Sequence, residues 1–181
     1  MQTHLSINFM PNAVYRPELC IRSTLEAARA HNFPLDRLIF ETLESEHVDN
    51  YRHLTNILRE YREFGFKTAI DDFGAGYSSL NVLKDVPFDA IKIDRGLLGS
   101  GAIAPTNKSI ITSVVRLAED LNMGVLCEGV ENASQREFLS RLGAIQAQGF
   151  LYARPMSPDN FTSLLEGGKK LLPAGEEAPD A

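Results

Sequence analysis

Cysteine is nearly missing from this chain: Cys20 and Cys127 are the only two among 181 residues. They stand far apart, outside any CxxC spacing and with no secretory apolar segment before them. That pattern argues against a disulfide framework or a zinc knuckle and for a reduced, cytoplasmic chain. Basic residues are also in deficit, 18 Lys and Arg against 24 Asp and Glu, for a net charge of -6. A nucleic-acid polymer is therefore not an expected partner, because no basic stripe exists to neutralise its phosphates. No apolar stretch approaches the roughly 18 residues of a membrane helix. The four histidines form no HExxH, and "GAGYSS" lacks both the G-x-G-x-x-G spacing and a Gly-Lys ending. What these absences leave as the material for chemistry is carboxylates.

The composition that is present, 44% apolar and 23% charged, is that of one soluble globular domain. Its periodicity alternates between two kinds. "LSINFMP" (Leu5 to Pro11), Arg37 to Glu44, "KTAIDD", "FDAIKID", "GVLCEGVE" and part of "AIQAQGFLYARPM" read as strands. Between them, Pro17 to Asn32, Tyr51 to Phe64, "SSLNVLKDV", Lys108 to Asn122 and Asn132 to Leu142 carry apolar residues at helical spacing. The last of these helices opens with an Asn-x-x-Gln capping pattern. Residues 166–181, rich in Gly, Pro, Lys and Glu, read as a helix end and a disordered tail. Strict alternation predicts an α/β fold with a parallel sheet, either open or closed into a barrel. About six strands are counted, where a (β/α)₈ barrel has eight.

In a parallel sheet the strands' C-terminal ends share one face. Asn8, Glu41, Asp71, Asp72, Lys92, Glu128 and Gln148 all fall at such ends. Four carboxylates in one cleft repel unless a cation neutralises them, and oxygen-only ligation points to magnesium, manganese or calcium. Side chains alternate along a strand, so the adjacent Asp71 and Asp72 can serve one site only where the backbone leaves regular geometry. One carboxylate bridging two metal ions is the arrangement of phosphodiester hydrolysis, with Lys92 placed to orient the water. Gly74 and Gly76 then act as hinges beside the site.

"DDFGAGYSSL", "IKID", "CEGVE" and "QGFLYARPM", in that order and at those intervals, resemble the EAL domain, the bacterial cyclic di-GMP phosphodiesterase family. The resemblance implies a TIM-barrel-like (β/α)₈ fold over residues 1–165, here without the first one or two strands and without the Glu-Ala-Leu motif itself. It implies hydrolysis of cyclic di-GMP to the linear dinucleotide pGpG with Mg²⁺ or Mn²⁺. Asn8, Glu41, Asp71, Asp72 and Glu128 would hold two metals, with Asp71 bridging. Lys92 would contact the hydrolytic water, with Gln148 near it, and Lys92, Glu128 and Asp71 form the catalytic set. Glu131 would anchor the DDFG loop, which contributes to dimerisation, and Ser78, Arg154 and Pro155 would lie on the substrate side. A homodimer and an upstream sensory or GGDEF domain are the expected partners. The alternative is a catalytically impaired EAL domain that acts as a cyclic di-GMP receptor or protein-interaction module, since a metal-ligand glutamate goes with the missing motif.

Overall fold

The structure, a computed structural model, describes residues 3–11, 14, 16–44, 51–76, 80–143 and 145–167. Its strands are β1 (Leu5–Asn8), β2 (Leu38–Leu43), β3 (Lys67–Phe73), β4 (Ala90–Ile93), β5 (Gly124–Cys127) and β6 (Gln146–Ala147). Its helices are α1 (Pro17–Cys20), α2 (Arg22–Ala30), α3 (Tyr51–Glu63), α4 (Leu80–Asp85), α5 (Pro105–Asp120), α6 (Ala133–Ser140) and α7 (Pro158–Glu166). The six strands form one sheet in the order β1-β2-β3-β4-β5-β6, with every pair parallel. Parallel neighbours need a crossover, and a helix supplies each one. The result is a half-barrel, six strands of the eight in a TIM-barrel-like fold.

Why the sheet holds its shape is clearest at α3. Its Leu54, Ile57, Leu58 and Tyr61 recur at helical spacing and are all buried. Leu54 and Leu58 enter the larger core, with Ile70, Ile91, Ile111 and Val125, whereas Ile57 and Tyr61 enter a smaller one with Ile21, Leu25 and Phe66. One helix thus ties both cores to the sheet. The smaller core is aromatic: Phe40 lies 4.6 Å from Tyr61 and 5.1 Å from Phe66 between ring centroids. Burial pushes the Tyr61 phenol up to about 12, with Cys20 and Glu60 adding to the effect.

Several boundaries differ from the sequence reading. The helix expected from Lys108 begins at Pro105, which occupies the first turn, where its missing N–H leaves no bond unmade. Leu121 is exposed past the end of that helix, and Leu117 packs against the larger core. The strand expected through Glu131 stops at Cys127, because Gly129 takes φ +70°. The final strand is only two residues long. A Cβ at Gly149 would stand 2.3 Å from Val130 N and O, so the chain turns there against the preceding loop. The Asn132 capping box forms as expected: its side chain accepts from Gln135 N–H, and Gln135 Oε1 accepts from Asn132 N–H. Residues 168–181, most of the expected tail, lie outside the described residues. Among the described residues no helix is long and apolar enough to cross a membrane.

The aromatic cluster sets a stability expectation. Phe40→Ala should lower the unfolding free energy by about 3–5 kcal/mol, through lost transfer energy and the cavity left among three rings. Phe40→Leu, which refills most of that volume, should cost clearly less. Urea denaturation of both variants measures this, and a loss below about 1 kcal/mol for Phe40→Ala would remove the cluster from the folding core.

Candidate metal centre

Parallel pairing brings the strand ends level. Asn8 stands opposite Glu41, and Leu43 opposite Asp71. Lys92 is the penultimate residue of β4, and Glu128 and Gln148 directly follow β5 and β6. The adjacent aspartates are resolved by a bulge. Ile70 pairs with Ile91 and Phe73 with Ile93, so Asp71 and Asp72 together face the single residue Lys92. Asp72 takes φ +53°, a left-handed conformation that side-chain-bearing residues rarely adopt. That departure lets both carboxylates serve one site: Asp71, Asp72 and Glu128 each offer an oxygen within 4.8 Å of the others. The Asp72 N–H donates to Asp71 Oδ1 at 3.0 Å.

The turn that follows is held from β2. Gly74 N–H donates to Glu44 Oε2 at 2.9 Å, and Glu44 N–H donates to the Asp71 carbonyl at 2.9 Å. Gly74 itself has φ +96°, and a Cβ there would meet Leu97 Cδ1 at 2.7 Å. Glu44, at the end of the strand next to β3, thus bonds the described part of the DDFG turn, while Glu131 has an exposed side chain beside a cavity, and residues 77–79 of the loop it is expected to anchor lie outside the described residues. The spacing of "ETLE" displays this second acid without indicating its target. Ser78 lies outside the described residues.

Lys92 is buried at the centre. Its Nζ stands 2.8 Å from Glu41 Oε2, Asp71 Oδ1 and Glu128 Oε1. Three N–H donors meet three carboxylates, a use that sequence reasoning did not anticipate. Gln148 Nε2 donates to the same Glu128 oxygen at 2.7 Å. Glu41 therefore engages Lys92 and stands outside the close carboxylate group, and Asn8, opposite it on β1, is exposed.

Burial alone would lower the Lys92 pKa, but the hydrogen bonds to Asp71, Glu128 and Glu41 outweigh it, and the ammonium is held charged. The carboxylates are less well served. Burial raises Glu128, and Asp71 and Asp72 add to that, against the opposing pull of Lys92. Burial also raises Asp72, helped by Asp71 and Asp94 and partly offset by Lys92 and Arg95. One ammonium does not balance the site. The close donor group is oxygen-only, which fits a hard divalent ion such as Mg²⁺, Mn²⁺ or Ca²⁺. The nearby Cys127 thiol is pushed up to about 12 by burial and by Glu128, so it offers no thiolate to a softer metal.

A cavity of about 510 Å³ opens beside Glu128, lined among others by Arg95, Glu131, Gln148, Phe150, Arg154 and Pro155. The Arg154 guanidinium lies over the Phe150 ring at 4.3 Å from its centroid. Arg154 and Pro155 thus fall where a substrate could reach both them and the acids. Arg95, which no sequence signal singled out, joins them because Gly129 packs against its Cβ.

The EAL domain family model matches residues 1–155. The bifunctional diguanylate cyclase/cyclic di-GMP phosphodiesterase MucR of Pseudomonas aeruginosa is 39% identical over 141 residues, which is 78% of this chain and 21% of MucR. A standalone versatile EAL protein from Vibrio cholerae, solved in its c-di-GMP-bound form, matches with TM-score 0.79 and 42% identity, over 87% of this chain and 66% of that one. BlrP1 of Klebsiella pneumoniae, solved with cyclic di-GMP and either calcium or manganese, matches with TM-score 0.76 and 36% identity, over 84% of this chain and 39% of that one. Against three curated relatives, this chain spans between 17% and 23% of their length.

The raised Asp72 gives a pH signature. Its folded pKa exceeds the ordinary 3.8, so the stability its carboxyl contributes is present below that value and lost as pH rises through the folded pKa. Asp72→Asn, which keeps a residue tolerant of positive φ, should therefore melt higher than the parent at neutral pH without metal. The gap should close as pH falls below 3.8. Thermal melts across that range with a chelator present check this, and an Asn variant that melts lower at neutral pH refutes it.

Proposed function

The chain belongs to the EAL domain family, and on that premise we propose that it is a metal-dependent phosphodiesterase that opens cyclic di-GMP to the linear dinucleotide pGpG. The observation that carries the reading is the convergence of Asp71, Asp72 and Glu128 on one another beside Lys92, at the mouth of a cavity lined by arginines. A bound Mg²⁺ or Mn²⁺ pair supplies Lewis-acid polarisation of the phosphate and a water acidic enough to attack it.

The chain's own residues do the rest. Asp71, Asp72 and Glu128 would hold one metal ion, and Asn8 and Glu41, paired across the ends of β1 and β2, would help hold a second, Glu41 through the carboxylate oxygen that does not meet Lys92. Lys92 orients the attacking water, and Gln148 keeps Glu128 aimed through its amide. Water adds to phosphorus, one ester P–O bond breaks, and the leaving sugar oxygen takes up a proton. Arg154 and Pro155, in the cavity wall, hold the part of the dinucleotide beyond the scissile phosphate. The same reading sets the chain in bacterial signalling in the cytoplasm. MucR, whose name joins cyclase and phosphodiesterase, is the precedent for a partner domain in a longer protein.

Incubation with cyclic di-GMP and Mn²⁺, followed by chromatography, tests the proposal. The expected result is linear dinucleotide that a chelator suppresses and that Asp71→Asn reduces to the blank. Product unaffected by either change would refute the assignment of the acidic group. Cyclic di-GMP binding without turnover would replace the enzyme reading by the receptor one.

A further inference from the structure

Three of the site's carboxylates already share a cation. The Lys92 ammonium has three N–H donors and no acceptor, and Asp71, Glu128 and Glu41, each at 2.8 Å, use all three. Two of these partners, Asp71 and Glu128, also belong to the group whose oxygens lie within 4.8 Å of one another, together with Asp72. Glu41 is the partner outside it. A divalent ion drawing on that group takes two carboxylates that Lys92 now holds, and two cations crowded into a buried site repel.

Building on the phosphodiesterase reading, we propose that Lys92 is a built-in counter-ion that exchanges with the divalent cation, giving up Asp71 and Glu128 to it while keeping Glu41. In the metal-free protein Lys92 restrains the mutual repulsion that the bulged Asp71–Asp72 pair and Glu128 would otherwise exert on the ends of β3 and β5. In the loaded protein the exchange leaves two Lys92 N–H donors uncommitted beside the acids, where a water or phosphate oxygen is to be bound. The residue that orients the water is thus unmasked by the ion that activates it. The flexible four-carbon stem of lysine permits the short movement, and the Gln148 amide on Glu128 Oε1 retains that carboxylate's position meanwhile.

The direct test is NMR of the full chain with its lysine amines isotope-labelled, titrated with Mg²⁺ and with Lys92→Met used to assign the signal. The buried, triply hydrogen-bonded Lys92 ammonium should give a slowly exchanging resonance without metal, and that resonance should shift or exchange away as Mg²⁺ saturates the site. By calorimetry Lys92→Met should bind Mg²⁺ more tightly than the parent, by about 5- to 150-fold, the usual span of a coupling free energy. It should also melt lower than the parent without metal and gain more from adding it. If Mg²⁺ binds but the Lys92 resonance does not change, or Lys92→Met binds it no more tightly, the exchange is wrong and the metal site stands. If Mg²⁺ produces neither heat nor any resonance change, the metal reading and the exchange fall together. Should Lys92→Met fail to fold, the titration of the parent still decides, with the signal assigned through Lys92→Arg.

Discussion

Lys92 brings one positive charge to a place where Glu41, Asp71 and Glu128 bring three negative ones, and every other feature of the site follows from that imbalance. Removing carboxylates from water is unfavourable unless each is paired and hydrogen-bonded. The ammonium satisfies one oxygen of each partner, all at 2.8 Å. Asp72 has no share of it by direct contact and is displaced upward in pKa by burial and by its acidic neighbours. The site is therefore stable enough to fold and still short of positive charge, which is the electrostatic state in which a hard cation is bound.

The backbone meets this demand by departing from regular geometry at one place. A regular strand would send Asp71 and Asp72 to opposite faces. The bulge opposite Lys92 and the positive φ of Asp72 turn them together, at a local conformational cost on the order of 1–3 kcal/mol. Surrounding structure offsets that cost. Glu44 holds Gly74 from the neighbouring strand, Leu97 closes on the glycine, and Ile70 and Phe73 on either side of the bulge are anchored in the larger core. The strain is thus confined between two well-packed residues, and the carboxylates it positions inherit their rigidity.

Much of this was legible in the chain itself. Periods of two and 3.6 are local properties, so the alternation of strands and helices, the buried stripe of α3 and the Asn132 capping box could all be read from neighbours in sequence. Parallel topology then required the strand-end residues Asn8, Glu41, Asp71, Lys92, Glu128 and Gln148 to share one face, because every strand in such a sheet points the same way. Even the need for irregular backbone at Asp71–Asp72 was implied by the pleat.

Other features depended on distances between residues remote in sequence, and no local pattern encodes those. Which carboxylates Lys92 would take, that Glu41 would face it rather than join the close acidic group, and that Glu44 would bond Gly74 in the DDFG turn were decided by register across neighbouring strands. Arg95 reached the cavity wall only because Gly129 lets the following loop pack on its Cβ. The sequence by itself determined the parallel architecture and the acidic face, since both follow from periodicity and chain direction. Tertiary structure alone decided the pairing of charges on that face, since a difference of a few ångströms between strands settles which oxygen an ammonium meets.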